Sequence, residues 1–111
     1  MTENTYLNYQ FQPATEKADA QTMVFLHGLF GDMNNLGIIA RQFSEQFNIL
    51  RVDLRNHGQS FHSDEMNYQL MAKDLQALLE HLALMDNIVI GHSMGGKTAM
   101  TLADMAPALV D

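Results

Sequence analysis

The sequence has no cysteine and only six lysines and arginines against thirteen aspartates and glutamates in 111 residues. Without cysteine there is neither a disulfide framework nor a thiolate metal site, a composition compatible with a reducing cytoplasm. The formal net charge of −7, with the few basic residues scattered, argues against nucleic acid or an anionic membrane as partner. No run approaches the roughly 20 apolar residues of a membrane span. Met1-Thr2-Glu3-Asn4-Thr5 has neither the basic nor the apolar region of a signal peptide, so the expected location is the cytoplasm. Also missing are low-complexity tracts, internal repeats and a domain boundary. With 47% hydrophobic and 17% charged residues, the composition is that of one globular unit, residues 1–111, with a modest core.

The most informative stretch is Gly91-His92-Ser93-Met94-Gly95, which follows the apolar run Ile88-Val89-Ile90 and precedes a helical pattern. A strand, a sharp turn at Ser93 and an immediate helix form a nucleophile elbow, which holds the serine hydroxyl out at the end of a sheet. Glycines at 91 and 95 fit that geometry, because strand and helix backbones approach where a Cβ would clash.

Upstream, Tyr6 to Gln12 alternates, predicting an edge strand with Leu7, Tyr9 and Phe11 on a buried face. Met23-Val24-Phe25-Leu26 reads as a central parallel strand covered on both faces and ends at the loop His27-Gly28-Leu29-Phe30-Gly31. A helix is expected from about Asn34 to Gln46, with Leu36, Ile39, Ala40, Phe43 and Phe47 at helical spacing. A strand at Ile49 to Val52 runs into the polar loop Asp53 to Ser60, in which Arg55 is expected to pair with Asp53. Asn67 to about Leu84 reads as a helix with a stripe of Leu70, Met71, Leu75, Leu78, Leu79 and Leu82. A strand at Asn87 to Ile90 and a helix from Met94 to about Met105, ended by Pro107, complete the order. Such alternation predicts an α/β fold: a parallel sheet with helices on both faces.

Three glycine-containing loops, beginning at His27, Asp53 and Gly91, thus fall at the carboxyl ends of strands, where such sheets carry their function. The first and third suit acyl transfer, in which attack on a carbonyl creates an oxyanion that fixed backbone N–H groups stabilise. Ser93 is the candidate nucleophile. Met94 N–H is one candidate oxyanion donor, and Leu29 N–H the other, with Phe30 as its alternative. His27, Phe30 and His92 are expected to border the substrate pocket, His27 also organising its loop by hydrogen bonding. His92, beside the nucleophile, is a poor candidate base because adjacent side chains diverge at a sharp turn. No metal site and no cofactor are expected, and the nine methionines read as core filler and pocket lining.

Together, His27-Gly28-Leu29-Phe30-Gly31, the Asp53 to Ser60 loop and Gly91-His92-Ser93-Met94-Gly95-Gly96-Lys97 resemble the α/β-hydrolase superfamily, and within it the YbfF-type esterases. The resemblance runs from about Met23 to Pro107. It implies a serine hydrolase cleaving a small acyl ester or thioester through an acyl-enzyme. In that family the acid and the histidine of the triad follow the serine, but no histidine follows Ser93 here, and Asp111 falls where the next strand is expected to start. The 111 residues therefore read as the N-terminal part of such a fold, truncated before its later strands and cap. Alone they are expected to be inactive and, with an open edge at Asn87 to Ile90, either to pair through it, to swap elements with a second copy or to be the ordered part of a longer chain. The alternative is a non-catalytic binding or assembly module on the same scaffold.

Overall fold

Met23-Val24-Phe25-Leu26 forms the centre of the sheet in the computed structural model, which describes residues 6–111. Strands β1 (Tyr9–Gln12), β2 (Thr22–Leu26), β3 (Asn48–Val52) and β4 (Ile88–Gly91) are arranged in the order β1-β3-β2-β4. Both β3 and β4 run parallel to β2, and every residue of β2 is buried. Successive side chains leave the pleat on opposite faces. Val24 and Leu26 join Leu50 and Val52 in a core covered by helices α2 (Tyr68–His81) and α3 (Met94–Met105). Met23 and Phe25 join Ile49 and Ala40 in a smaller core on the other face, under helix α1 (Gly37–Arg41). An apolar run with no polar alternation is what a strand sandwiched in this way requires.

Three expectations are corrected. First, β1 is shorter than its alternating pattern suggested, and all four of its residues are exposed. Leu7 is the residue that enters the core, ahead of the strand. β1 is an edge strand paired only with β3, and it runs antiparallel, so the sheet is mixed. Second, α1 is five residues long, because its predicted first turn is taken up by side-chain bonds. Asp32 Oδ1 accepts Asn34 N–H at 2.9 Å and Asn35 Oδ1 accepts Asp32 N–H at 2.7 Å, an arrangement that competes with helix. Ile39 and Phe43 are consequently exposed, while Leu36 and Phe47 pack against the small core. Third, Arg55 pairs with Asp74 of α2 rather than with Asp53, through Nε–Oδ2 at 2.7 Å and Nη2–Oδ1 at 2.9 Å.

The α2 stripe is as spaced in the sequence, with Met71, Leu75, Leu78 and Leu79 buried. Asn67 caps the helix by accepting Leu70 N–H at 2.8 Å. Helix α3 starts directly from β4, and Pro107 opens a 3₁₀ turn, Pro107–Leu109, after it. Among the described residues, the outer edge of β4 is met only by a parallel bridge between Asn87 and Val110, and no helix is long and apolar enough to cross a membrane.

Candidate active site

Ser93 lies between β4 and α3 with φ 55° and ψ −109°. A non-glycine residue there carries strain of order 1–3 kcal/mol, which persists only where the surroundings impose it. They do so by close packing. A Cβ on Gly91 would collide with the Gly95 carbonyl, and one on Gly95 would lie 2.6 Å from His27 O, with the Leu26 carbonyl closer still. Strand, turn and helix are thus pressed together with no room for side chains, leaving Ser93 exposed at the sheet end.

The loops after β2 and β3 are laced to the elbow and to each other. His92 N–H donates to Leu26 O at 3.0 Å. Buried His27 spans two loops, its Nε2 accepting Leu54 N–H at 3.0 Å and its Nδ1–H donating to Gly28 O at 2.7 Å. That pair of bonds fixes the neutral tautomer with the proton on Nδ1. Asp53, also buried, accepts from Met33 N–H at 2.8 Å, from Asn8 Nδ2 at 2.9 Å and from Gln59 N–H at 2.9 Å. One carboxylate therefore ties the segments around Asn8, Met33 and Gln59 together. Asn8, Met33 and Ser60, whose hydroxyl donates to Asp53 O, carry no sequence signal that marks them for this. Only the topology brings β1 beside β3.

Burial pushes the His27 imidazole below its ordinary value, and neighbouring His57 pushes the same way, against the Gly28 carbonyl and the charges of Asp53 and Asp32. For Asp53, burial opposes ionisation, but the bonds from Gln59, Asn8 and Met33 outweigh it and hold the carboxyl below its ordinary range. Both shifts mean that the unfolded chain binds more protons on acidification, so both contributions to stability are lost as pH falls. The His27 share is complete above about pH 6.5 and declines below it; the Asp53 share declines below about pH 3.8. Thermal unfolding between pH 7.5 and 3 should show the melting temperature dropping in two stages, with His27→Gln flattening the upper one. A melting temperature constant from pH 7.5 to 5 would remove the His27 assignment.

Ser93, Leu29, His27 and His92 line one cleft of about 390 Å³ with Gly28, Gly31, Asn35 and Leu36. Leu29, Ser93 and Met94 also line a second cleft of about 360 Å³, bordered by Met66, Tyr68, Met71 and Lys97. Of the residues expected around the pocket, His27 is at the back of the first cleft and His92 is exposed within it. Phe30 is in neither: its side chain is 92% exposed and borders a separate hollow with Asn56, His57 and Gly58. Its backbone is in the left-handed region, with φ 65°. Among the described residues, Leu29 N–H, Met94 N–H and the Ser93 hydroxyl have no protein hydrogen-bond partner, whereas Phe30 N–H donates to His57 Nε2 at 3.1 Å. No cluster of three His, Asp or Glu side chains suited to a metal ion occurs among them. Lys97, in the first turn of α3 where its charge opposes the helix dipole, places Nζ 5.9 Å from the centre of the Tyr68 ring.

Residues 21–111 match the α/β-hydrolase fold family. The chain belongs to the α/β-hydrolase family. It is 59% identical over 105 residues to a Haemophilus influenzae protein carrying an esterase/lipase designation, covering 95% of this chain and 37% of that one. Identity is 42% over 105 residues to esterase YbfF of Escherichia coli, covering 95% of this chain and 41% of the relative. It is 46% over 96 residues to an sn-1-specific diacylglycerol lipase of Mus musculus, covering 85% and 31%. A solved marine microorganism esterase superposes with a TM-score of 0.88 at 35% identity, over 97% of this chain and 40% of that structure. The chain thus spans about two fifths or less of the length of each of these relatives.

Proposed function

We propose that the protein to which these residues belong is a serine hydrolase of the carboxylesterase or thioesterase type, with Ser93 as nucleophile. The observation that carries this is the elbow: a strained serine held at the sheet end beside two unspent N–H groups. Ser93 Oγ attacks the acyl carbonyl, Leu29 N–H and Met94 N–H receive the oxyanion, and an acyl-enzyme forms as the alcohol or thiol leaves. Phe30 is not the second donor, since its N–H is spent on His57. The family's esterase and lipase relatives support an ester substrate.

No general base is assigned among the described residues in this reading. Both ring nitrogens of His27 and of His57 are committed to hydrogen bonds, and Ser93 Oγ has no histidine partner among the described residues. The 111 residues alone are accordingly inactive in this reading, because an unassisted serine hydroxyl is a weak nucleophile at neutral pH. The reading is tested by exposing the whole protein to a fluorophosphonate and mapping the modified peptide. Modification anywhere other than Ser93, or none, rejects it.

The acyl group occupies the cleft bordered by Met66, Tyr68 and Met71, whose soft thioethers and aromatic ring suit a flexible hydrocarbon. Met66→Asp, at a partly exposed position before α2, is expected to lower the ratio of kcat/KM for p-nitrophenyl octanoate over p-nitrophenyl acetate by about 10-fold, the effect of a methylene or two in a pocket. An unchanged ratio would move the acyl group elsewhere.

A further inference from the structure

The tip of the loop that carries Leu29 holds its shape without help from the side chains of Leu29 and Phe30. Phe30 adopts φ 65°, a conformation that costs a non-glycine residue, and its 92% exposed ring gains no packing in return. Leu29 is itself 57% exposed. What fixes the turn is backbone bonding: Gly31 N–H donates to Gly28 O at 3.0 Å, and Phe30 N–H donates to His57 Nε2 at 3.1 Å. The His57 ring is buried and itself anchored, its Nδ1–H donating to Arg55 O at 2.9 Å, with the His27 ring centroid 5.0 Å away. A carbonyl can only accept and an amide N–H can only donate, so the ring that satisfies both is neutral with its proton on Nδ1.

Arg55 is in turn fastened to Asp74 and to Glu65 O, at 2.8 Å for the latter. The line from α2 through Arg55 and His57 to Phe30 therefore connects a rigid helix to the exposed loop tip. Phe30 N–H and Leu29 N–H are on neighbouring peptide groups, so holding the first in place sets the direction of the second.

We propose that His57 is a positioning residue that aims Leu29 N–H at the oxyanion by latching the adjacent Phe30 N–H. The proposal rests on the serine hydrolase reading. Its effect falls on the transition state, because the oxyanion exists only there: loss of the latch lowers kcat and leaves KM nearly unchanged. His57 touches neither substrate nor Ser93 in this role.

The test uses the whole protein. His57→Phe keeps the ring but removes the acceptor, and is expected to reduce kcat for p-nitrophenyl butyrate about 10- to 100-fold with KM within about threefold, the scale of weakening one oxyanion donor. His57→Gln, whose carbonyl oxygen can reach the same N–H, is expected to recover most of the loss. Equal losses in the two variants, a fall in kcat/KM carried by KM, or an unimpaired kcat in folded His57→Phe would each overturn the proposal. Should His57→Phe not fold, ¹⁵N spectra of the wild-type imidazole and amide exchange decide. Protonated Nδ1, acceptor Nε2 and a Phe30 amide exchanging more slowly than that of Leu29 support the latch; a ring protonated on Nε2 overturns it. Failure of Ser93 to react with a fluorophosphonate would instead reject the serine reading, and the spectra would still judge the latch.

Discussion

Ser93→Ala in the whole protein is expected to abolish fluorophosphonate labelling and to lower ester hydrolysis by roughly 10⁴-fold or more, the scale seen when a serine nucleophile is removed. The size of the effect follows from what alanine cannot do. On the proposed serine hydrolase reading, the elbow, both clefts and the two N–H groups remain, so substrate should still bind with its carbonyl polarised, but no oxygen is present to form the acyl-enzyme. KM should therefore change much less than kcat. Folding should hardly suffer, because Ser93 is exposed and its hydroxyl bonds to no protein group among the described residues. Steady-state kinetics together with a melting curve separate the two effects. A variant that keeps a tenth of the activity, or still takes up the label, would place the nucleophile elsewhere.

Gly95→Ala is expected to cost a large part of the stability. The new methyl carbon would sit 2.6 Å from His27 O and nearer still to the Leu26 carbonyl, and both belong to the backbone at the end of the fully buried central strand. Backbone in that position cannot swing aside as a side chain could, so α3 must be pushed off the sheet, opening the core around Met94 and Leu102. A loss of about 3 kcal/mol or more, at the upper end for overpacking, is expected. Against the 5–15 kcal/mol that usually holds a domain together, much of the protein would then be recovered insoluble. Gly96→Ala is the internal control, since its Cβ would approach nothing closer than Gly91 O at 3.3 Å; a cost under about 1 kcal/mol is expected there. Urea unfolding of the two variants side by side tests this, and equal midpoints would contradict the steric account.

Where sequence reasoning failed, the cause was the tertiary surroundings of a segment or, in α1, side chains that bind nearby backbone. The alternation of Tyr9 and Phe11 resembles a half-buried strand, but at the edge of the sheet neither reaches the core, and Leu7 does so instead. Arg55 is two residues from Asp53, which made their pairing attractive. The β3 loop instead turns Arg55 toward α2 and turns Asp53 toward Asn8 and Met33. The spacing of Ile39 and Phe43 fits a helix, yet the side chains of Asp32 and Asn35 bind local backbone first and leave only five helical residues.

The elements with strong local patterns needed no tertiary information. An unbroken apolar run such as Met23–Leu26 has few alternatives to a covered central strand, and the α2 stripe spans enough turns to be unambiguous. The glycines on either side of Ser93 announced a turn too tight for any Cβ, and the alternating order of elements placed three loops at one sheet edge. The choice between Leu29 and Phe30, and the work of His57, could not be read in the same way. Adjacent residues in a glycine-rich loop have similar local preferences, so which N–H stays unspent depends on an acceptor 27 positions away. By itself, the sequence determined the central strands, the elbow and the serine, because each is encoded in neighbouring residues; the antiparallel edge strand β1 was not. The tertiary structure alone decided which backbone groups remain free to act, because that depends on partners the chain meets only when folded.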